Sequence, residues 1–95
     1  GPELVDSVLI SGISTVSDVE VSDDGQYLLA TAESDPKGGL YIYDLTDPRR
    51  PALVASAEVP GGLHTGTFAR IGGTLYAFTA KNPLAPSLRI YRLDP

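Results

Sequence analysis

The chain has 95 residues, 42% hydrophobic and 20% charged, with ten glycines, eight prolines and neither cysteine nor methionine; this is a globular composition rich in turn formers that excludes disulfides and thiolate metal sites. Twelve acidic against seven basic side chains give a net charge of −5, and the one adjacent basic pair, Arg49-Arg50, is no electrostatic footprint for nucleic acid. The apolar runs are too short to span a bilayer as a helix and no signal-peptide pattern is visible, so neither nucleic acid nor a membrane is an expected partner and the compartment stays open. Methionine is missing at position 1 as well, and Gly1-Pro2, or Gly1 alone, reads as a protease-cleavage scar.

In chain order, residues 2–11 (Pro-Glu-Leu-Val-Asp-Ser-Val-Leu-Ile-Ser) read as a strand. They return at an offset of 49 as residues 51–60, with Pro, Leu, Val and Ser matched. Proline opens both stretches, where a strand tolerates a missing donor. Gly12 to Ser17 is a connection of small residues. Val19 and Val21 then alternate with Asp18, Glu20 and Ser22, the period-two pattern of a half-buried strand. Asp23-Asp24-Gly25 predicts a tight hairpin turn, because Asp-Gly supplies positive φ. The run Tyr27 to Ala32 is nearly continuous in apolar residues and predicts a strand covered on both faces. Residues 33–39 form a polar loop with a proline and two glycines.

The most informative stretch follows. Gly39-Leu40-Tyr41-Ile42-Tyr43-Asp44-Leu45-Thr46-Asp47-Pro48 predicts a strand, and Leu40, Ile42, Tyr43 and Leu45 recur 48 residues on as Leu88, Ile90, Tyr91 and Leu93. Pro48 and Pro51 bar helix and central strand between them. The second copy begins after Pro60-Gly61-Gly62, with a strand over His64–Ile71, a Gly72-Gly73 turn and a partner over Thr74–Ala80, where Thr79-Ala80 repeats Thr31-Ala32. Residues 81–86 are a loop, and Ser87–Leu93 is the last strand. No stretch sustains a 3.6-residue period, so the chain is expected to be all-β.

With the strands of a unit labelled a to d, the order is d, a-b-c-d, a-b-c: a single outer strand (2–11), a first blade (16–60) and a second blade (64–95) without its outer strand. Tandem four-stranded units of roughly 40–50 residues favour a β-propeller. The segment Gly39–Pro48 with Pro51 also resembles the LVIVD-type repeat of bacterial β-propellers, and Val19-Glu20-Val21-Ser22-Asp23-Asp24-Gly25-Gln26-Tyr27-Leu28 is similar to YVTN and lactonase-like propeller repeats. The second copy departs from this pattern in Arg92, which stands where Asp44 does, and in Gly72-Gly73, which stands for Asp24-Gly25. The resemblance implies antiparallel propeller blades and no particular activity.

A propeller holds four to eight blades, so two blades leave apolar faces and an edge to be covered. The expected solution is a head-to-tail homo-oligomer. In it the outer strand of one copy completes the second blade of the next, and Asp94-Pro95 followed by Gly1-Pro2 imitates the internal Asp47–Pro51 link. Leu4, Val5, Val8, Ile10, Leu88, Ile90, Tyr91 and Leu93 form the expected interface, with four copies and eight blades favoured over three and six. The expected function is thus that of a non-enzymatic self-assembling scaffold, natural or designed, with no cofactor and no metal. The alternative is a fragment of a lactonase-like enzyme or ligand-binding propeller, with His64, Asp18 and Glu20 as axial ligand candidates. A lone histidine is more simply a solvated one, since a metal needs several ligands at fixed geometry. Asp18 and Glu20 are more simply the polar face of a strand, and Asp23-Asp24-Gly25 lacks the rest of a calcium loop.

Overall fold

Residues 2–10, 13, 15–33, 37–81 and 86–93 are described by a computed structural model of the chain. The alternating and β-branched stretches form seven strands: β1 (Thr15–Val21), β2 (Tyr27–Glu33), β3 (Gly39–Asp44), β4 (Ala52–Glu58), β5 (Thr65–Ile71), β6 (Thr74–Lys81) and β7 (Ser87–Leu93). They make two antiparallel meanders, β1-β2-β3-β4 and β5-β6-β7. The protein is therefore all-β among its described residues, and every predicted strand from Val19 onward is present. The expected loops over 34–36 and 82–85, the Gly12 connection and the Asp94-Pro95/Gly1 junction lie outside the described residues.

Local chemistry sets the turns. Gly72 and Gly73 both take positive φ, 58° and 82°, the two-residue turn whose twist suits a hairpin. The Asp23-Asp24-Gly25 turn is longer than the tight hairpin expected from its sequence. Ser22 N–H donates to Tyr27 O at 2.8 Å, and the Asp24 carboxylate accepts from the Ser22 hydroxyl (2.7 Å) and from Gln26 N–H (2.9 Å). The carboxylate serves as a turn acceptor, so the loop from Ser22 to Gln26 closes around it.

Two apolar clusters lie on the two faces of the first sheet. Leu29, Leu40 and Ile42, with Tyr27 and Ala57, pack against Phe68, Ala77, Tyr91 and Leu93 of the second sheet, closed by Val59 and Leu63 from the connection. Leu29 and Leu63 are completely buried. The opposite face, Ala30, Ala32, Tyr41 and Tyr43, packs with Leu28, Ile10 and Ile13. Residues 2–10, read from the sequence as a strand, pair with no strand within the single chain. Val8, Leu9 and Ile10 lie beside Tyr41, Tyr43 and Leu53 of the first sheet, and Leu4 and Leu9 are left 83% and 93% exposed.

Register shows how the two sheets correspond. Leu29 lies opposite Ile42 and Thr31 opposite Leu40 in the first sheet; Phe78 lies opposite Ile90 and Ala80 opposite Leu88 in the second. The 48-residue offset holds from β3 to β7, but β2 matches β6 at 49, because the intervening loops differ in length. Thr31 is therefore the counterpart of Ala80, and the apparent Thr31-Ala32/Thr79-Ala80 repeat is out of register by one. A one-residue slip moves every side chain to the other face, so the correction decides which residues point outward.

Candidate functional site

Among the described residues strand β5 pairs with β6 on one side only, so alternate N–H groups on its other edge need acceptors from elsewhere. Side chains of β1, the first strand in the order of the first sheet, supply them. Asp18 Oδ2 accepts the Gly66 N–H at 3.1 Å, while its Oδ1 accepts Val19 N–H at 3.0 Å. Glu20 Oε1 accepts the Phe68 N–H at 2.6 Å, and the Thr67 hydroxyl donates to the same carboxylate at 2.7 Å. Ser17 Oγ donates to Leu63 O at 2.9 Å and lies 2.9 Å from Thr31 Oγ1. The two carboxylates singled out as axial ligands thus hold the sheets to one another, a role for which ionised acceptors of backbone N–H groups are well suited.

The same seam continues at the turn. Arg70 Nη2 lies 3.1 Å from both Asp23 Oδ1 and Asp24 Oδ2. Its hydrogen bond, followed by its charge, holds the Asp23 carboxyl below the usual aspartate range and raises the guanidinium itself. Asp24 is lowered chiefly by the Gln26 N–H and the Ser22 hydroxyl. Asp44 is lowered by the hydroxyl and N–H of Thr46 and then by Gln26. Burial pushes the Tyr43 phenol up.

His64 is half exposed. Its Nδ1 lies 3.4 Å from Glu33 Oε2, and its N–H donates to Ala80 O. Among the described residues no group of three His, Cys, Asp or Glu side chains is arranged to hold a metal ion. His64, Asp18 and Glu20 are accordingly divided between a contact with Glu33 at the strand ends and the seam between sheets.

The interface candidates also divide. Leu88 and Ile90 are 69% and 54% exposed and point away from the first sheet, on the face shared by Tyr76, Phe78 and Ala80. Leu4, Val5 and Val8 are exposed, and Ile10 is partly covered beside Tyr41 and Tyr43. Tyr91 and Leu93 instead face inward, in the core between the sheets. Tyr76, Phe78 and Ala80 share that outward face but were not among the interface candidates, because the loop-length difference hid their true counterparts. Arg70 and Thr67 escaped it because their partners lie about one repeat away. Compared with family models, curated proteins and solved structures, the chain matches none.

Proposed function

We propose that this chain is a two-blade β-propeller fragment whose function is non-enzymatic self-association, stacking copies head to tail into a closed ring. The observation that carries this reading is the equivalence of faces. The outward face of the second sheet, Tyr76, Phe78, Ala80, Leu88 and Ile90, has the same register as Tyr27, Leu29, Thr31, Leu40 and Ile42 of the first. The latter set is the one that packs on the second sheet within the chain. The remaining face of the first sheet, with Tyr41 and Tyr43, corresponds to the face of the second sheet that carries Arg89 and Tyr91 and meets the first.

A contact between unlike faces repeats indefinitely and makes a ring when its rotation closes. An apolar sheet face left in water is the driving force, since covering it removes apolar area from solvent at about 25 cal/mol per Å². Four copies give eight blades and three give six; we favour four, because the small side chains Ala30, Ala32, Gly66, Ala69 and Ala80 let sheets approach closely near the axis. The engagement of Asp18 and Glu20 in the seam supports a scaffold over a ligand site at the axis.

Native mass spectrometry with light scattering tests the reading. The expected mass is four times the 10.0 kDa protomer, with three times as the other ring. A folded species of one protomer at micromolar concentration would sink the proposal.

A further inference from the structure

Strand β7 has β6 on one side and no strand on the other among the described residues, and its edge differs in charge from that of β3. In the first sheet Asp44 lies opposite Ala52, Ile42 opposite Ala55 and Leu40 opposite Ala57. Residues 3–9 match β4 at an offset of 49, and β7 matches β3 at 48. Carrying the β3–β4 register over, bulge included, sets Glu3 opposite Arg92, Asp6 opposite Ile90 and Val8 opposite Leu88.

From this we infer that residues 3–9 of a second copy dock on the β7 edge in that one register, selected by Glu3 and Asp6 flanking Arg92. The inference rests on the head-to-tail reading above. Its independent support is charge. At the position where β3 has an aspartate opposite Ala52, β7 has an arginine, and the strand that would lie beside it carries carboxylates where β4 has Ala52 and Ala55. Glu3 would be directly across from the guanidinium and Asp6 on the adjacent diagonal of the same face, both within reach of a long side chain.

The pairing also discriminates. Laid along β3, the same segment would put Glu3 against Asp44, and like charges directly opposite are unfavourable. Val8 against Leu88 would cover a side chain that is otherwise 69% exposed. In the single chain Arg92 borders the crevice that also holds Asp44, so a role confined to one chain is the competing account. Reciprocal reversal separates the two.

Assembly of three full-length variants is measured by analytical ultracentrifugation alongside the parent. Arg92→Glu alone, and Glu3→Arg with Asp6→Arg, should each weaken association by about tenfold or more, and the chain carrying all three changes should recover it. Because the chain has no cysteine, Val8→Cys with Leu88→Cys provides a check that does not depend on charge. Oxidation should give disulfide-linked multimers, whereas Ser7→Cys with Leu88→Cys, on opposite faces, should not. If the parent assembles but the triple variant fares no better than Arg92→Glu, or the two cysteine pairs crosslink equally, the register is wrong and head-to-tail stacking survives. A monomeric parent would overturn both.

Discussion

Phe78 gives the sharpest test of whether the outward face of the second sheet is covered. Leu29, its counterpart in the first sheet, is completely buried between the sheets, so Leu29→Ala should cost ~2–5 kcal/mol at any protein concentration. Phe78 is half-buried in one chain, with Tyr76 its nearest ring at 6.2 Å between centroids. Without a neighbouring copy, Phe78→Ala forfeits only part of the ~1.5–3 kcal/mol that burying such a side chain is worth, about 1 kcal/mol. Under a neighbour's Tyr41 and Tyr43 it becomes a core residue, and truncation should cost ~3–5 kcal/mol. That is a large share of the ~5–15 kcal/mol by which a domain is stable. Urea unfolding of the parent and both variants at two concentrations a hundredfold apart reads the difference. The Phe78→Ala penalty should shrink on dilution while that of Leu29→Ala stays constant, because association is linked to stability by mass action. Equal penalties for Phe78→Ala at both concentrations would refute the argument.

Two further predictions concern the seam. Glu20→Ala removes the acceptor of the Phe68 N–H and the Thr67 hydroxyl and should destabilise by about 1 kcal/mol, below the usual range for a charge-assisted bond because the site is open to water; Glu20→Gln, which keeps a neutral acceptor, should recover part of this, and an unchanged stability in Glu20→Ala would show that the carboxylate is not the clasp. Asp23, Asp24 and Asp44 are all held below their ordinary value of 3.8, so their contribution is complete above 3.8 and is lost as pH falls through the lower folded values. Thermal melts should accordingly be flat from neutral pH to about 5 and drop only below about 4. Arg70→Gln should shallow that drop by removing the leading cause at Asp23, and an unchanged acid limb would count against the Arg70 pair.

Strand positions were legible because each depends on neighbours a few residues away. Alternation located β1, glycines bounded β6, and the recurring Leu-x-Ile-Tyr pattern tied β3 to β7. What escaped depends on pairs about 47 residues apart. Asp18 and Glu20 look alike as channel ligands, as a solvated face or as acceptors for another strand until β5 is set beside them. Only then does its unpaired edge, with Gly66 admitting close approach, call for carboxylates. The repeat misled where loop lengths differ: six residues separate the paired Ala32 and Gly39, but five separate Lys81 and Ser87. A sequence offset read as constant therefore matched Thr79 to Thr31, whereas the register matches it to Ala30. The N-terminal strand is the opposite case. Its pattern matches β4, yet a strand exists only with a ladder partner, and within one chain residues 2–10 have none.

The corrected registers also show that the contact inside the chain and the contact proposed between chains cannot be chemically alike. By register, Asp18 and Glu20 correspond to Thr65 and Thr67 in the second sheet. A hydroxyl cannot replace an ionised carboxylate that serves two donors at once. At an inter-chain seam, the position of the Gly66 N–H would be filled by Val19 of the next copy, and that N–H already has its acceptor in Asp18 Oδ1 at 3.0 Å. In the proposed ring one carboxylate would thus answer both seams, through Oδ2 to Gly66 inside the chain and through Oδ1 to its own Val19 N–H at the edge offered to the next copy. The inner edge of β1 needs less from its neighbour than the inner edge of β5 does. In the proposed ring, cohesion between copies would fall to the apolar face around Phe78 and to the strand docked on β7, while the polar clasps act within each chain.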